Sequence, residues 1–192
     1  MARALVDTGA VVALINRDDR YHRVAVNWFQ HFRGELLTTE AVITETAYVL
    51  AASPAHQRAA LVWFQRMRAA ELLRVEPVTD YAALALIVAR YASLPCDYAD
   101  ASLIALAERT GVTAIATIDQ RDFSVYRLRG RKRFRLVLEA PPSSTAKAKK
   151  RQPPTAYELM KDDCGIVESG VGDLATNPKH MLGFGRASPR DR

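Results

Sequence analysis

Three features of the sequence predict an α/β fold with a mainly parallel sheet covered on both faces. Short apolar runs with strand character recur at residues 4–6, 36–38, 72–75, 113–118 and 134–138. Segments with helical periodicity separate them, and strands that alternate with helices build parallel sheets. Two of the runs lead straight into an aspartate, Asp7 and Asp119. Those carboxylates are thereby set at or just past the carboxyl ends of strands, where open α/β sheets place their sites.

Taken in order, Ala4-Leu5-Val6 is a strand, Asp7-Thr8-Gly9 a turn, and Ala10 to Ile15 a buried helix. Residues 22–32 form an amphipathic helix with Val26, Trp28 and Phe29 on its apolar side. His22 and His31 have no companion at ligand spacing and read as surface or helix-end residues. After the strand 36–38, Thr39 can cap a helix over 40–50 with Ala41, Val42, Ala47, Val49 and Leu50 apolar. Glu45 lies inside this helix among small and β-branched neighbours; alone it reads as a surface residue. Ser53-Pro54 opens another helix, whose Leu61, Val62, Phe64 and Met67 form a core or dimer stripe. The helix over 81–91 is apolar almost all round, which makes it central or part of an interface.

The stretch from Cys96 to Phe123 gathers five carboxylates, Asp97, Asp100, Glu108, Asp119 and Asp122. Asp97 and Asp100 stand three apart at the start of a helix over 98–110, so their side chains share a face. Gly111 supplies the left-handed residue that ends it. Asp97 by itself reads as a helix cap, Asp122 as turn chemistry and Glu108 as a solvated helix residue. Asp100 precedes an apolar run, and a half-buried carboxylate is costly without a cation. Carboxylates converging on one pocket repel one another, which raises a pKa or calls for a metal. Beyond Asp119, seven basic residues, Arg121, Arg127, Arg129, Arg131, Lys132, Arg133 and Arg135, interleave with Phe123, Tyr126 and Phe134. That pattern suits phosphates and stacked bases, and equally suits a solvated hairpin.

The chain is 192 residues long with 49% hydrophobic residues, enough for a core, and its net charge of +6 suits a polyanionic partner. Cys96 and Cys164 show neither metal spacing nor a disulfide framework, which predicts a reducing compartment. The first residues lack the apolar centre of a signal peptide, and no run reaches the ~20 apolar residues of a membrane span. A cytoplasmic protein with no membrane segment is expected. Composition changes near Ala140, dividing the chain into a body (1–140), a polar, proline-bracketed basic linker (141–154) and a tail (155–192) in which pattern returns, expected to be partly disordered.

Leu5-Val6-Asp7-Thr8, then Thr44-Glu45-Thr46-Ala47-Tyr48, then Asp97-Tyr98-Ala99-Asp100-Ala101-Ser102, then Ala116-Thr117-Ile118-Asp119 with Asp122-Phe123 occur in this order over the body. Together they resemble the PIN-domain nucleases, and look most like the toxins of VapBC toxin–antitoxin modules. The resemblance implies a three-layer α/β/α sandwich and an endoribonuclease dependent on Mg2+ or Mn2+. Carried over residue by residue, it implies that Asp7, Glu45, Asp100 and Asp119 form the catalytic, metal-holding quartet, with Asp97 and Asp122 beside it. The chemistry suits the residues, because hard divalent ions take oxygen ligands and organise water and phosphate for displacement. The tail segments 157–165, 173–180 and 181–186 resemble the C-terminal tail of VapB-type antitoxins. They imply a segment that folds back on the nuclease and restrains it, anchored by Tyr157, Leu159, Met160, Met181, Leu182 and Phe184, with Lys179 or Arg186 offering a cation to the acids. Expected partners are RNA, a separate antitoxin or the chain's own tail, and a second copy in a homodimer. The rival expectation is a catalytically silent regulatory or RNA-binding protein of the same fold, joined to an antitoxin-like segment; the intact quartet favours the enzyme. A phosphotransferase with a strand-end aspartate fits less well, since Thr8-Gly9 brings no second acid two residues after Asp7.

Overall fold

The structure, a computed structural model, describes residues 2–138 and 155–181. Five strands, β1 (Ala2–Val6), β2 (Gly34–Thr39), β3 (Leu73–Glu76), β4 (Ala114–Ala116) and β5 (Arg135–Leu136), form one sheet. Its order is β3-β2-β1-β4-β5 and every pairing is parallel, with Leu5 opposite Leu37 on one side and Ile115 on the other. Alternation along each strand feeds two cores. Ala4, Val6, Leu36, Ala114 and Ala116 face one, and Leu5, Leu37 and Ile115 face the other.

The first core is covered by α1 (Thr8–Ile15), α2 (His22–His31) and α4 (Pro54–Ala69). α1 is buried along its whole length, which its unbroken apolar sequence anticipates. Gly9 lets its first turn approach the chain after β4, since a Cβ there would stand 2.5 Å from Ile118 Cγ1. The second core is covered by α3 (Glu40–Val49), α5 (Tyr81–Arg90), α6 (Tyr98–Thr110) and α7 (Gln120–Val125). Gly111 closes α6 with a φ of 71°, as its sequence position predicts. The result is the α/β/α sandwich expected.

Several local expectations change. Thr39 precedes α3 but does not cap it; its hydroxyl is instead 2.7 Å from that of Ser102 on α6. In α4, Leu61 and Val62 are exposed while Trp63 joins Phe64 and Met67 in the core. α5 is not central: Leu84 and Ile87 are buried, but Tyr81, Leu86 and Val88 face outward. Glu108 is not solvated, because Arg90 and Arg129 close over it at 3.6 and 3.0 Å. Its partners come from elements distant in sequence. In the basic stretch, Phe123, Tyr126 and Phe134 pack edge to face inside the core, which removes them as surfaces for stacking bases. Arg127 spends its guanidinium on the carbonyls of Ser124, Val125 and Tyr126. Arg131, Lys132 and Arg133 remain exposed.

The described part of the tail packs onto the body. Thr155 and Glu158 form a reciprocal capping box that starts α8 (Ala156–Met160). Ala156 and Met160, with Val167 and Leu174 further on, enter the first core beside α2 and α4. Leu159, an expected anchor, is exposed. Past α8 the chain runs beside the end of α1: Gly165 N–H and Val167 N–H donate to Leu14 O and Ile15 O, and Arg17 N–H donates to Val167 O, at 2.8–2.9 Å. Asp163 is buried against Arg66 at 2.6 Å, and Glu168 pairs with Arg17. The linker 141–154, Leu182, Phe184 and Arg186 lie outside the described residues.

Candidate active site

The sheet order reverses between β1 and β4. From β1 the chain moves outward through β2 to β3, then returns to the opposite side of β1 as β4. A crevice opens at such a switch point, outside the carboxyl ends of the two strands. Asp7 follows β1 and Asp119 follows β4 shortly after, so both acids reach this place by topology alone.

Each acid is held by a specific contact. Asp7 caps α1, its Oδ1 accepting the Thr8 N–H at 2.7 Å, while Oδ2 accepts the buried Thr117 hydroxyl at 2.8 Å. The Thr8 hydroxyl donates to Glu45 Oε2 at 2.5 Å, tying α3 to the first turn of α1. Asp97 caps α6 by accepting Asp100 N–H at 2.9 Å. One turn into that helix, Asp100 accepts the Tyr126 hydroxyl at 2.9 Å, from a ring buried between Tyr91 and Phe123. Asp119 caps α7, accepting Asp122 N–H at 3.1 Å. All four members of the sequence-derived quartet, together with Asp97 and Asp122, line one cavity of about 810 Å3.

Burial and mutual repulsion set the proton affinities. Burial raises Asp7 to about 6, with Asp97 and Asp119 adding to the rise and the Thr117 and Thr8 hydrogen bonds opposing it. Glu45 is raised to about 8, by burial first and then by Asp7 and Asp97. Asp100 is raised to about 9, by burial first and then by Asp7 and Asp97. As the side chains stand, no three His, Cys, Asp or Glu groups among the described residues are gathered tightly enough to hold an ion. Repulsion and desolvation are what a divalent cation relieves, and the donors are all hard carboxylate oxygens. The donor set therefore fits Mg2+ or Mn2+ chemically.

Sequence reasoning missed the supporting hydroxyls of Thr8, Thr117 and Tyr126. Thr8 and Thr117 flank the strand ends and were legible as neighbours of the acids; nothing in the spacing ties Tyr126 to Asp100. It also missed Arg20, and the wall contributed by the tail through Leu174, Ala175, Thr176, Asn177 and Met181. Among the described residues Lys179 shows no ion pair with the acids; its backbone N–H donates to Asn177 Oδ1 at 3.1 Å.

The crevice at the switch point of a parallel sheet is where open α/β folds bind their ligands, and here that crevice is ringed by carboxylates. Residues 4–128 match the PIN domain family, and the chain belongs to that family. Among solved structures it is similar to Mycobacterium tuberculosis VapC20, described as a Sarcin-Ricin loop cleaving toxin. The two share 23% identity and a TM-score of 0.52 over 59% of this chain and 87% of that one, a likeness of fold. No curated protein matches the chain. Among the described residues, no helix is long and apolar enough to cross a membrane.

Proposed function

We propose that the chain is a Mg2+- or Mn2+-dependent endoribonuclease, the toxin component of a type II toxin–antitoxin system, acting in the cytoplasm. The observation that carries this reading is the convergence of Asp7, Glu45, Asp100 and Asp119 on one switch-point cavity, where burial and neighbouring carboxylates raise the proton affinities of Asp7, Glu45 and Asp100. Membership of the PIN-domain family and the likeness to a Sarcin-Ricin loop cleaving toxin support it.

In this reading Asp7 and Asp100 are the principal metal ligands, and Glu45 and Asp119 complete the set. A bound divalent ion would activate water, neutralise the phosphate and stabilise the leaving oxygen. Thr117 and Thr8 fix the two oxygens of Asp7, and the Thr8 hydroxyl holds Glu45 beside it. Tyr126 holds Asp100 through Oδ2. At neutral pH Glu45 and Asp100 carry protons that the cation must displace, so metal affinity rises with pH. The tail is assigned the part of an antitoxin-like segment acting in cis, and the outward apolar residues of α5 are assigned to a homodimer contact.

The deciding experiment is cleavage of an RNA oligonucleotide with and without Mn2+ by wild type and Asp100→Asn. Metal-dependent cleavage lost in the variant is expected. Full activity of Asp100→Asn across a Mn2+ titration would overturn the ligand assignment, and no cleavage by wild type under any metal would favour the catalytically silent alternative.

A further inference from the structure

Arg20 lines the same cavity as the six carboxylates but has no part in the scheme above. It stands in the connection between α1 and α2, and three contacts orient it. Its backbone N–H donates to Gly172 O at 3.1 Å, its guanidinium lies 5.0 Å from the Tyr21 ring centroid, and Nη2 donates to the Thr176 hydroxyl at 2.9 Å. Two of the three come from the tail.

A guanidinium has five N–H donors, and Thr176 uses one. Among the described residues no carboxylate forms an ion pair with Arg20. The acids nearest in effect, Asp19 and Asp173, feel its charge without pairing with it. Asp19 accepts Tyr21 N–H through Oδ1, and Asp173 is bonded to Asn177 and His180. The hydroxyl of Thr176 leans toward Asp173 O at 3.4 Å, which leaves its lone pairs for Arg20. The cation is thus exposed, oriented and tied to a neutral group. A metal can neutralise the phosphate being cut, but the adjoining phosphates of a polymer meet the remaining carboxylate field and need a cation at the rim. Among the described residues the other guanidinium lining the cavity, Arg121, has no such set of orienting contacts. A pre-oriented cation binds at lower entropic cost.

We infer that Arg20 is a substrate-positioning residue that grips an RNA phosphate next to the scissile one, and that Thr176 of the tail competes with that phosphate for the guanidinium. The inference rests on the nuclease reading and gives the tail's restraint a specific contact. It places the restraint on substrate binding, with no tail side chain needed on the carboxylates.

The test uses the full chain. Arg20→Ala should raise KM for a single-stranded RNA about tenfold with kcat little changed, as expected for loss of one charge-assisted contact. Arg20→Lys should recover part of the loss. The salt dependence of RNA binding should weaken by about 0.7 in slope. Thr176→Val should lower KM about two- to fivefold, the size of one solvent-exposed hydrogen bond, and should have no effect in an Arg20→Ala background. An Arg20→Ala protein with wild-type KM and salt slope overturns the proposal. So does a Thr176→Val protein with raised KM, which would make the tail a support for Arg20. Binding is also followed by fluorescence anisotropy in EDTA, where nothing is cut. RNA that binds through Arg20 yet is never cleaved would refute the nuclease reading and leave the Arg20 assignment standing.

Discussion

Replacing Asp7 by Asn should stabilise the metal-free protein, by an amount that depends on pH in a calculable way. Asp7 is buried, and its proton affinity is raised from 3.8 to about 6. Between those values the folded protein holds a proton that the unfolded chain has lost, so stability falls as pH rises through this window. Above it the full penalty, about 3 kcal/mol, is in place. Asn removes the penalty but sacrifices one hydrogen bond. Its Oδ1 can still cap α1, whereas an amide in the place of Oδ2 no longer accepts the Thr117 hydroxyl, at a cost of about 1 kcal/mol. The net gain is about 2 kcal/mol at pH 8 and shrinks to about 0.5 kcal/mol at pH 5, where the wild-type carboxyl is largely protonated. Urea unfolding of both proteins in EDTA at the two pH values measures the difference. An Asp7→Asn protein less stable than wild type at pH 8, or a difference that ignores pH, would refute the argument that Asp7 is a strained ion awaiting a counter-charge.

Added Mn2+ should raise the thermal midpoint of wild type more at pH 8 than at pH 6, because Glu45 and Asp100, raised to about 8 and 9, release protons to bind it; an equal shift at both values would contradict this. Replacing Arg131, Lys132 and Arg133 together by alanine should weaken single-stranded RNA binding and reduce its salt slope by about 2, whereas Arg129→Ala should change the slope little because Arg129 pairs with Glu108; anisotropy titrations at several salt concentrations read both. Burying a charge with Val167→Asp should release the tail, seen as rapid limited proteolysis after residue 155 while the body keeps its cooperative unfolding, and cleavage at low RNA should quicken. A tail that stays protected would show that its backbone bonds to Leu14 and Ile15 suffice.

Much of the fold was readable because it is written in short periods. The alternation at Ala4-Leu5-Val6 and the unbroken apolar run of α1 each fix an element locally, and parallel order follows from their succession. The quartet was legible through resemblance rather than spacing. Glu45, taken alone, looks like any helix glutamate until Thr8 is seen to hold it. What escaped depends on distant pairs. Glu108 reads as solvated because nothing nearby announces Arg90 and Arg129, and the aromatic residues among the arginines read as a binding surface although they are core. Of the tail's expected anchors among the described residues, Met160 is buried and Tyr157 and Met181 pack against the same core, but Leu159 turns outward because the capping box at Thr155 sets the phase of α8.

The tail's partners lie far back along the chain: Val167 bonds with Ile15 and Arg17, and Asp163 with Arg66. During synthesis, Leu138 emerges ahead of Met181 by an interval of roughly 2–9 s at ordinary rates of about 5–20 residues per second. Small α/β domains fold within such an interval. The body can therefore complete its sheet, and with it the switch-point crevice, before the segment that walls the crevice exists. Each newly made molecule passes through a period in which Arg20 has no Thr176 beside it and the sides of α2 and α4 that receive Met160 are bare. Ribosome-bound chains stalled with residue 140 just outside the ribosome should then bind single-stranded RNA more tightly than the released protein does.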